Sequence, residues 1–376
     1  MALNKRRIVI LSPSYPLRGG IAQFGDALAE SLSGNNEVKI ISFKRQYPKA
    51  LFPGKSQLVD DVQAEKIKAD FVLDSIGPLS YRKTAREINN FQPDVVITAH
   101  WMWFMVPSLV SVLKRVRKQC AKIALVHNYI SHDAKFYDAP LAKRFIASND
   151  AVLCLSKGVE KEIARDFPKK PAISIPHPNY NHFGDKLNRE VACEKLGIDS
   201  TKKNLLFFGL IRPYKGLDVL LEAAKHLDEG FQILVAGECY GDFTSYQKLI
   251  DQNKRVKTIV HQKFIADKDV PMYFSAADLC VLPYRSATQS GVTAVAHHFD
   301  LPVVATKVGG LDEFVENEVN GYLVPPEDPK QLAQKVTEGF ATGAFEQFSE
   351  NLKKSTPISW SDFARTTEDF IVEIQG

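Results

Sequence analysis

The stretch Phe207-Phe-Gly-Leu-Ile-Arg-Pro-Tyr-Lys-Gly-Leu-Asp carries two cations, Arg212 and Lys215, on either side of a proline turn and just ahead of an apolar helical run. At the mouth of a strand–loop–helix unit, such a pair clamps a diphosphate, because both charges and the positive end of the helix face the same anion. A second stretch, Pro283-Tyr-Arg-Ser-Ala-Thr-Gln-Ser-Gly-Val-Thr-Ala-Val-Ala, runs from one buried element to another through a polar loop. Ser290 reads as a helix cap, and Gly291, Val292 and Thr293 as first-turn N–H donors to an oxyanion, with Gln289 beside them. Gly19 and Gly20 follow the first apolar run. Paired glycines let a backbone approach a phosphate or sugar closely, but the pattern is not G-x-G-x-x-G, so no dinucleotide fingerprint is present. His127 ends the run ALVH, with His132 and Asp133 close behind, and His100 ends ITAH. The pair His297-His298 has no visible third ligand, so no metal site is expected. Each feature also has a plainer reading: loop charges in solvent, a well-capped helix, an ordinary turn, or a histidine satisfied within the core.

These residues need elements to hold them. RIVILS, EVKIIS, DVVITA, KIALVH and AVLCLS form one series of short apolar runs with helix-length segments between them, and NLLFFG, FQILVAG, KTIVH, DLCVLP and LPVVAT form a second. Near-continuous apolar strands alternating with helices mean parallel sheets covered on both faces. The expected fold is therefore α/β, with two Rossmann-like doubly wound domains facing across a cleft, over residues 1–180 and 181–358. Pro176, Pro178 and Gly184 break the chain at the join. A terminal helix over 359–376, opened by Ser359 with Asp362 three residues on, is expected to pack back on the first domain.

Composition excludes several classes. Five cysteines stand singly, so neither a disulfide framework nor a zinc site is indicated, and a reducing cytoplasm is the simplest location. The apolar run Ile8–Leu11 is too short for a signal peptide, which needs about 7–15 such residues. The run ITAHWMWFMVPSLVSVL is interrupted by His100 and Pro107 and falls short of the roughly 20 residues of a membrane span. Residues 1–180 hold 27 Lys+Arg against 16 Asp+Glu, and the remainder holds 21 against 28. The basic half suits an anionic membrane, an acidic acceptor or ordinary solvated charge. KRQYPKALFPGK, with Lys44, Arg45, Lys49, Lys55 and Phe52, is the candidate for peripheral membrane contact. No aromatic-interleaved basic motif points to nucleic acid.

The blocks FFGLIRPYKGLDVLLEA, VAGE, SAADLCVLPYRSATQSGV and PVVATKVGGLDEFVENEVNGYLV, in this order and followed by a terminal SW-containing helix, resemble the GT4-type retaining glycosyltransferases of the GT-B fold (glycosyl transferases group 1). The resemblance covers nearly the whole chain. It implies a first domain for the acceptor, a glycan or lipid-linked hydroxyl, and a second for a UDP- or GDP-sugar, with no cofactor or metal beyond the nucleotide sugar. Lys215 matches the lysine on the donor diphosphate, Gly19 and Gly20 match the glycine loop closing over it, and His127 resembles the histidine near the transferred sugar. Two departures stand out. Leu210 occupies the usual arginine position, with Arg212 two residues later as its substitute. The family's paired glutamates fall on Ala287 and Val295; the second glutamate normally holds the ribose, and Thr288, Gln289 and Glu313 are the candidate replacements. A catalytically silent scaffold, a sugar-nucleotide epimerase and a phosphorylase are the alternatives on the same fold.

Overall fold

The computed structural model describes residues 5–48, 52, 56–59, 67–130, 135–178, 180, 183–288 and 290–376. Contacts divide the chain into two units, Met1–Pro178 with Ile358–Gly376, and Asn179–Pro357.

The first unit is built on strands β1 (Arg7–Leu11), β2 (Glu37–Arg45), β3 (Ala69–Asp74), β4 (Val95–His100), β5 (Ala121–Val126), β6 (Ala151–Cys154) and β7 (Ala172–Ser174). They pair in parallel in the order β3-β2-β1-β4-β5-β6-β7. Its crossovers carry α1 (Gly20–Leu32), α2 (Pro78–Phe91), α3 (Val106–Leu113), α4 (Asp138–Ala147) and α5 (Lys157–Asp166). β1 and β4 are fully enclosed from Ile8 to Leu11 and from Val95 to His100, as two-sided cover requires.

The second unit carries α6 (Arg189–Leu196), β8 (Lys203–Phe208), α7 (Leu217–Ala223), β9 (Phe231–Ala236), α8 (Thr244–Gln252), β10 (Lys257–His261), α9 (Val270–Ala276), β11 (Leu279–Leu282), α10 (Gly291–His298), β12 (Val303–Thr306), β13 (Gly321–Val324), α11 (Pro329–Thr342) and α12 (Ala344–Lys354). Its six-stranded sheet runs β10-β9-β8-β11-β12-β13, all parallel. The period-2 alternation of the strands splits the core in two. Leu205, Phe207, Ile233, Val235, Leu279 and Val281 face one helical layer, while Leu206, Leu234, Cys280 and Leu282 face the other. The final helix, α13 (Trp360–Gln375), belongs to the first unit. Ser359 accepts from the Asp362 amide while the Asp362 carboxylate accepts from the Ser359 amide, a reciprocal cap that starts the helix. Phe363 then packs edge-on against Phe24 of α1, and Ser31 donates to the Trp360 carbonyl.

Three strands lie outside the expected series: β3, β7 and β13. All three are sheet edges. An edge strand is covered on fewer sides, so β3 has only Leu73 fully buried and β7 has no fully buried residue. α3 stops at Leu113. Lys114, Arg115, Arg117 and Lys118 follow, and continuing the helix would stack like charges three and four apart.

Candidate active site

In the second unit, the loops after β8 and β11 meet at the carboxyl edge of the sheet, where an open parallel sheet binds ligands. Gly216, with φ at +66°, ends a 3-10 turn over Pro213–Lys215 and lies on the Pro283 carbonyl. A Cβ at Gly216 would come within 1.9 Å of that oxygen, so only glycine permits the two loops to touch. Arg285 fastens the same junction. Its N–H donates to the Tyr214 carbonyl at 2.7 Å, and its guanidinium donates to the Pro213 carbonyl and to both Asp218 carboxylate oxygens at 2.6–2.9 Å. Glu327 pairs with it as well. A bidentate carboxylate with a carbonyl acceptor fixes the fork in one orientation.

That fastening sets Lys215. Its ammonium lies over the ring of the buried Tyr284, 5.2 Å from the centroid, and 3.2 Å from where a Cβ on Gly209 would sit. Val292, at the start of α10, is 3.6 Å from the same point. Lys215 and the first turn of α10 therefore share one small space around Gly209. Among the described residues no carboxylate pairs with Lys215. Burial pulls its pKa below the usual lysine value; Tyr214 opposes this, and the nearby Arg212 cation adds a smaller push in the same direction as burial. Arg212 turns the other way, its guanidinium 5.0 Å over the Tyr240 ring.

The first turn of α10 differs from the expected arrangement in two respects. The Ser290 side chain does not cap the helix; its hydroxyl lies 3.3 Å from the Tyr284 hydroxyl. Thr293, expected to offer an N–H, donates it to the Ser290 carbonyl at 3.1 Å, because the first turn closes in the tighter i-to-i+3 manner. The amides of Gly291 and Val292 have no protein acceptor among the described residues. Gln289 lies outside the described residues, as do His132, Asp133, Lys49 and Lys55. Ala287 and Val295 are each 6% exposed and bring no polar side chain to the site.

Gly19, Gly20 and His127 belong to the first unit. Gly19 precedes α1 with φ at +113° and open space where a Cβ would be, and Gly20 begins the helix. The loop before them is tied by Asp26, which accepts from the Tyr15 amide at 2.9 Å and from the Ser14 hydroxyl. His127 follows β5 and meets Phe24 of α1 edge-on at 5.1 Å. Burial, and then His177 and His100, lower its pKa to about 3, so it is a neutral imidazole at physiological pH. His298 is held by the Gly184 carbonyl at 2.8 Å. Among the described residues no group of His, Cys, Asp and Glu is placed to hold a metal ion, and no described helix is long and apolar enough to cross a membrane.

Tyr284, Arg285 and Gly216 were not singled out by sequence pattern. Their roles come from contacts between loops about 70 residues apart, and the only signal was their presence within the polar loop and the proline turn.

Two family models match this chain: Glycosyltransferase Family 4 over residues 18–178, and Glycosyl transferases group 1 over 202–341. The chain belongs to the GT4-type glycosyltransferases of the GT-B fold. An uncharacterized glycosyltransferase of Methanocaldococcus jannaschii is 29% identical over 51% of this chain and 50% of its own length. A D-inositol 3-phosphate glycosyltransferase of Xylanimonas cellulosilytica is 32% identical over 39% of this chain and 36% of its own. The chain thus spans half or less of the length of these curated relatives. Among solved structures, Anabaena HepE in complex with UDP and glucose superposes with a TM-score of 0.76 over 98% of this chain and 100% of its own, at 16% identity. At that identity the likeness is one of fold.

Proposed function

We propose that the chain transfers a glycosyl group from a UDP- or GDP-sugar to an acceptor hydroxyl of a glycan or glycolipid, with retention of anomeric configuration and without a metal. The observation that carries this reading is the Lys215 ammonium, unpaired by any described carboxylate, beside the open amides of Gly291 and Val292. As the glycosidic bond breaks, negative charge builds on the leaving diphosphate, and fixed donors aimed at that charge lower the barrier. Arg212 supplies a second cation to the same loop. The fold neighbour HepE was solved with UDP and glucose, which supports a uridine nucleotide as the first donor to try. His127, held neutral, serves this scheme as a hydrogen-bonding group near the sugar and not as a general acid. The free cysteines, four of them buried, suit a cytoplasmic location.

The absence of carboxylates at Ala287 and Val295 favours a second reading, a nucleotide-binding protein without turnover. Calorimetric titration with UDP and GDP, followed by nucleotide release from a panel of donors with and without acceptor, separates the two. Binding with acceptor-dependent release supports transfer. Binding without release selects the silent reading, and acceptor-independent release selects an epimerase. A folded protein with no affinity for either nucleotide overturns the proposal.

A further inference from the structure

The segments that follow β2, β4 and β5 carry a row of aromatic rings, each in contact with the next. Trp103, in the 3-10 turn after β4, tilts against Tyr137, the residue before α4, with ring centroids 4.5 Å apart, and Phe136 meets Tyr137 edge-on at 5.0 Å. On its other side Trp103 meets Phe104 at 5.8 Å, Phe104 meets Tyr47 at 5.1 Å, and Tyr47 meets Phe52 at 5.4 Å. Trp101 fixes Tyr47 by donating its indole N–H to the phenol oxygen at 3.0 Å. Phe136 is 91% exposed, and Trp103, Tyr137, Tyr47 and Phe52 are half-buried. The row begins beside the glycine loop, where the Arg18 guanidinium lies 5.7 Å over the Phe52 ring.

At the other end, next to Tyr137, stands a polar group without a partner. Asp138 opens α4 on its buried face, in line with Ala142 and Phe145, and does not cap the helix. It is 2% exposed. Both carboxyl oxygens are enclosed, and among the described residues no donor reaches either with ordinary geometry. Burial raises its pKa, and the Lys135 amide and ammonium offset only part of that rise. An enclosed acceptor with no donor costs the free protein stability. A ligand hydroxyl would relieve it.

We propose that this row and Asp138 together seat a neutral glycan acceptor of more than one sugar unit, its ring faces on Trp103 and Tyr137 and one hydroxyl donating to Asp138. The inference rests on the glycosyl-transfer reading and names its acceptor as a sugar chain, neither a small polyol nor a bare lipid. Sugars present patches of C–H groups rimmed by hydroxyls, which suits aromatic faces paired with a few placed polar groups. The carboxyl edge of a parallel sheet is where such a ligand binds. An acyl chain would use the rings and leave Asp138 unsatisfied. A phosphorylated or nucleic-acid ligand would meet an acidic side chain where it needs a cation.

The test is binding of the full chain to an array of immobilised neutral sugars, from monosaccharides to hexasaccharides, covering hexose, deoxyhexose and N-acetylhexosamine linkages, beside dodecyl chains and single-stranded DNA. Binding is expected to the oligosaccharides alone. Trp103→Ala with Tyr137→Ala should weaken it by roughly tenfold or more, the usual effect of losing an anchoring ring. Asp138→Leu should also weaken it roughly tenfold, yet hold or raise the urea midpoint because an unsatisfied acceptor is removed. Asp138→Asn, whose amide oxygen still accepts, should stay within about threefold of wild type. Leu79→Ser, on an exposed side chain of the same unit, should change nothing. Circular dichroism establishes that each variant is folded. Binding to no oligosaccharide, equal binding to dodecyl chains or DNA, an unaffected double variant, or Asp138→Leu that binds normally or unfolds at lower urea would each overturn the inference. Titration of the same preparation with UDP and GDP separates the two failures. Nucleotide affinity without oligosaccharide binding removes this inference and leaves transfer standing; oligosaccharide binding without nucleotide affinity removes transfer, and with it the role of acceptor.

Discussion

Lys215→Met separates what the site costs the fold from what it does for a ligand. In the protein alone, the ammonium gains a cation–π contact with Tyr284 at 5.2 Å, worth about 0.5–2 kcal/mol. Against this stands the cost of enclosing a charge with no described carboxylate nearby, seen in its lowered pKa. Methionine keeps the stem packed and removes both terms. Unfolding free energy from urea titration is therefore expected to stay within about 1 kcal/mol of wild type, on the stabilising side. With a nucleotide sugar the balance reverses: losing a charge contact to the departing diphosphate costs about 10²–10³ in turnover. Lys215→Arg should recover little of it, because a planar fork of donors does not reproduce the compact point charge of an ammonium held against the backbone of Gly209. Purified Lys215→Met that unfolds several kcal/mol more easily yet turns over normally would refute the reasoning, since Lys215 would then be a structural residue.

Gly309 has φ at +53°, and a Cβ there would lie 1.4 Å from the Ala287 carbonyl oxygen. Gly309→Ala is expected to cost about 1–2 kcal/mol for the left-handed backbone and a further 1–3 for displacing the loop; a loss under about 1 kcal/mol in denaturant unfolding speaks against this packing. The buried histidines are expected to make the protein less stable in acid. Burial lowers His100 and His297 to about 4 and His127 to about 3, against about 6.5 unfolded. The unfolded chain then binds more protons below pH 6.5, so stability is complete above that pH. It declines as pH falls toward 4, by up to about 1.4 kcal/mol per pH unit per histidine. Urea midpoints measured from pH 7.5 to 5 should show the decline, and His100→Phe, stacked on Phe145, should make it shallower; a flat wild-type profile contradicts the burial argument.

Sequence alone determined the two alternating series, because a strand covered on both faces must be apolar over most of its length, and β1, β4, β8 and β11 are. It also determined the start of α13, since Ser359 and Asp362 cap through atoms three residues apart. Lys215 and the glycines at the start of α1 could be picked out because cations and glycines at strand ends are local signals. Tertiary structure decided the rest. Edge strands such as β3 need no continuous apolar run, so pattern passes over them. Whether Ser290 caps α10 depends on Tyr284 competing for its hydroxyl, and whether Thr293 offers an amide depends on how tightly the first turn closes. The place of Lys215 is set by Arg285 and Gly216 joining loops about 70 residues apart. Spacing along the chain carries no record of such a contact, because it exists only once the sheet has brought the ends of β8 and β11 side by side.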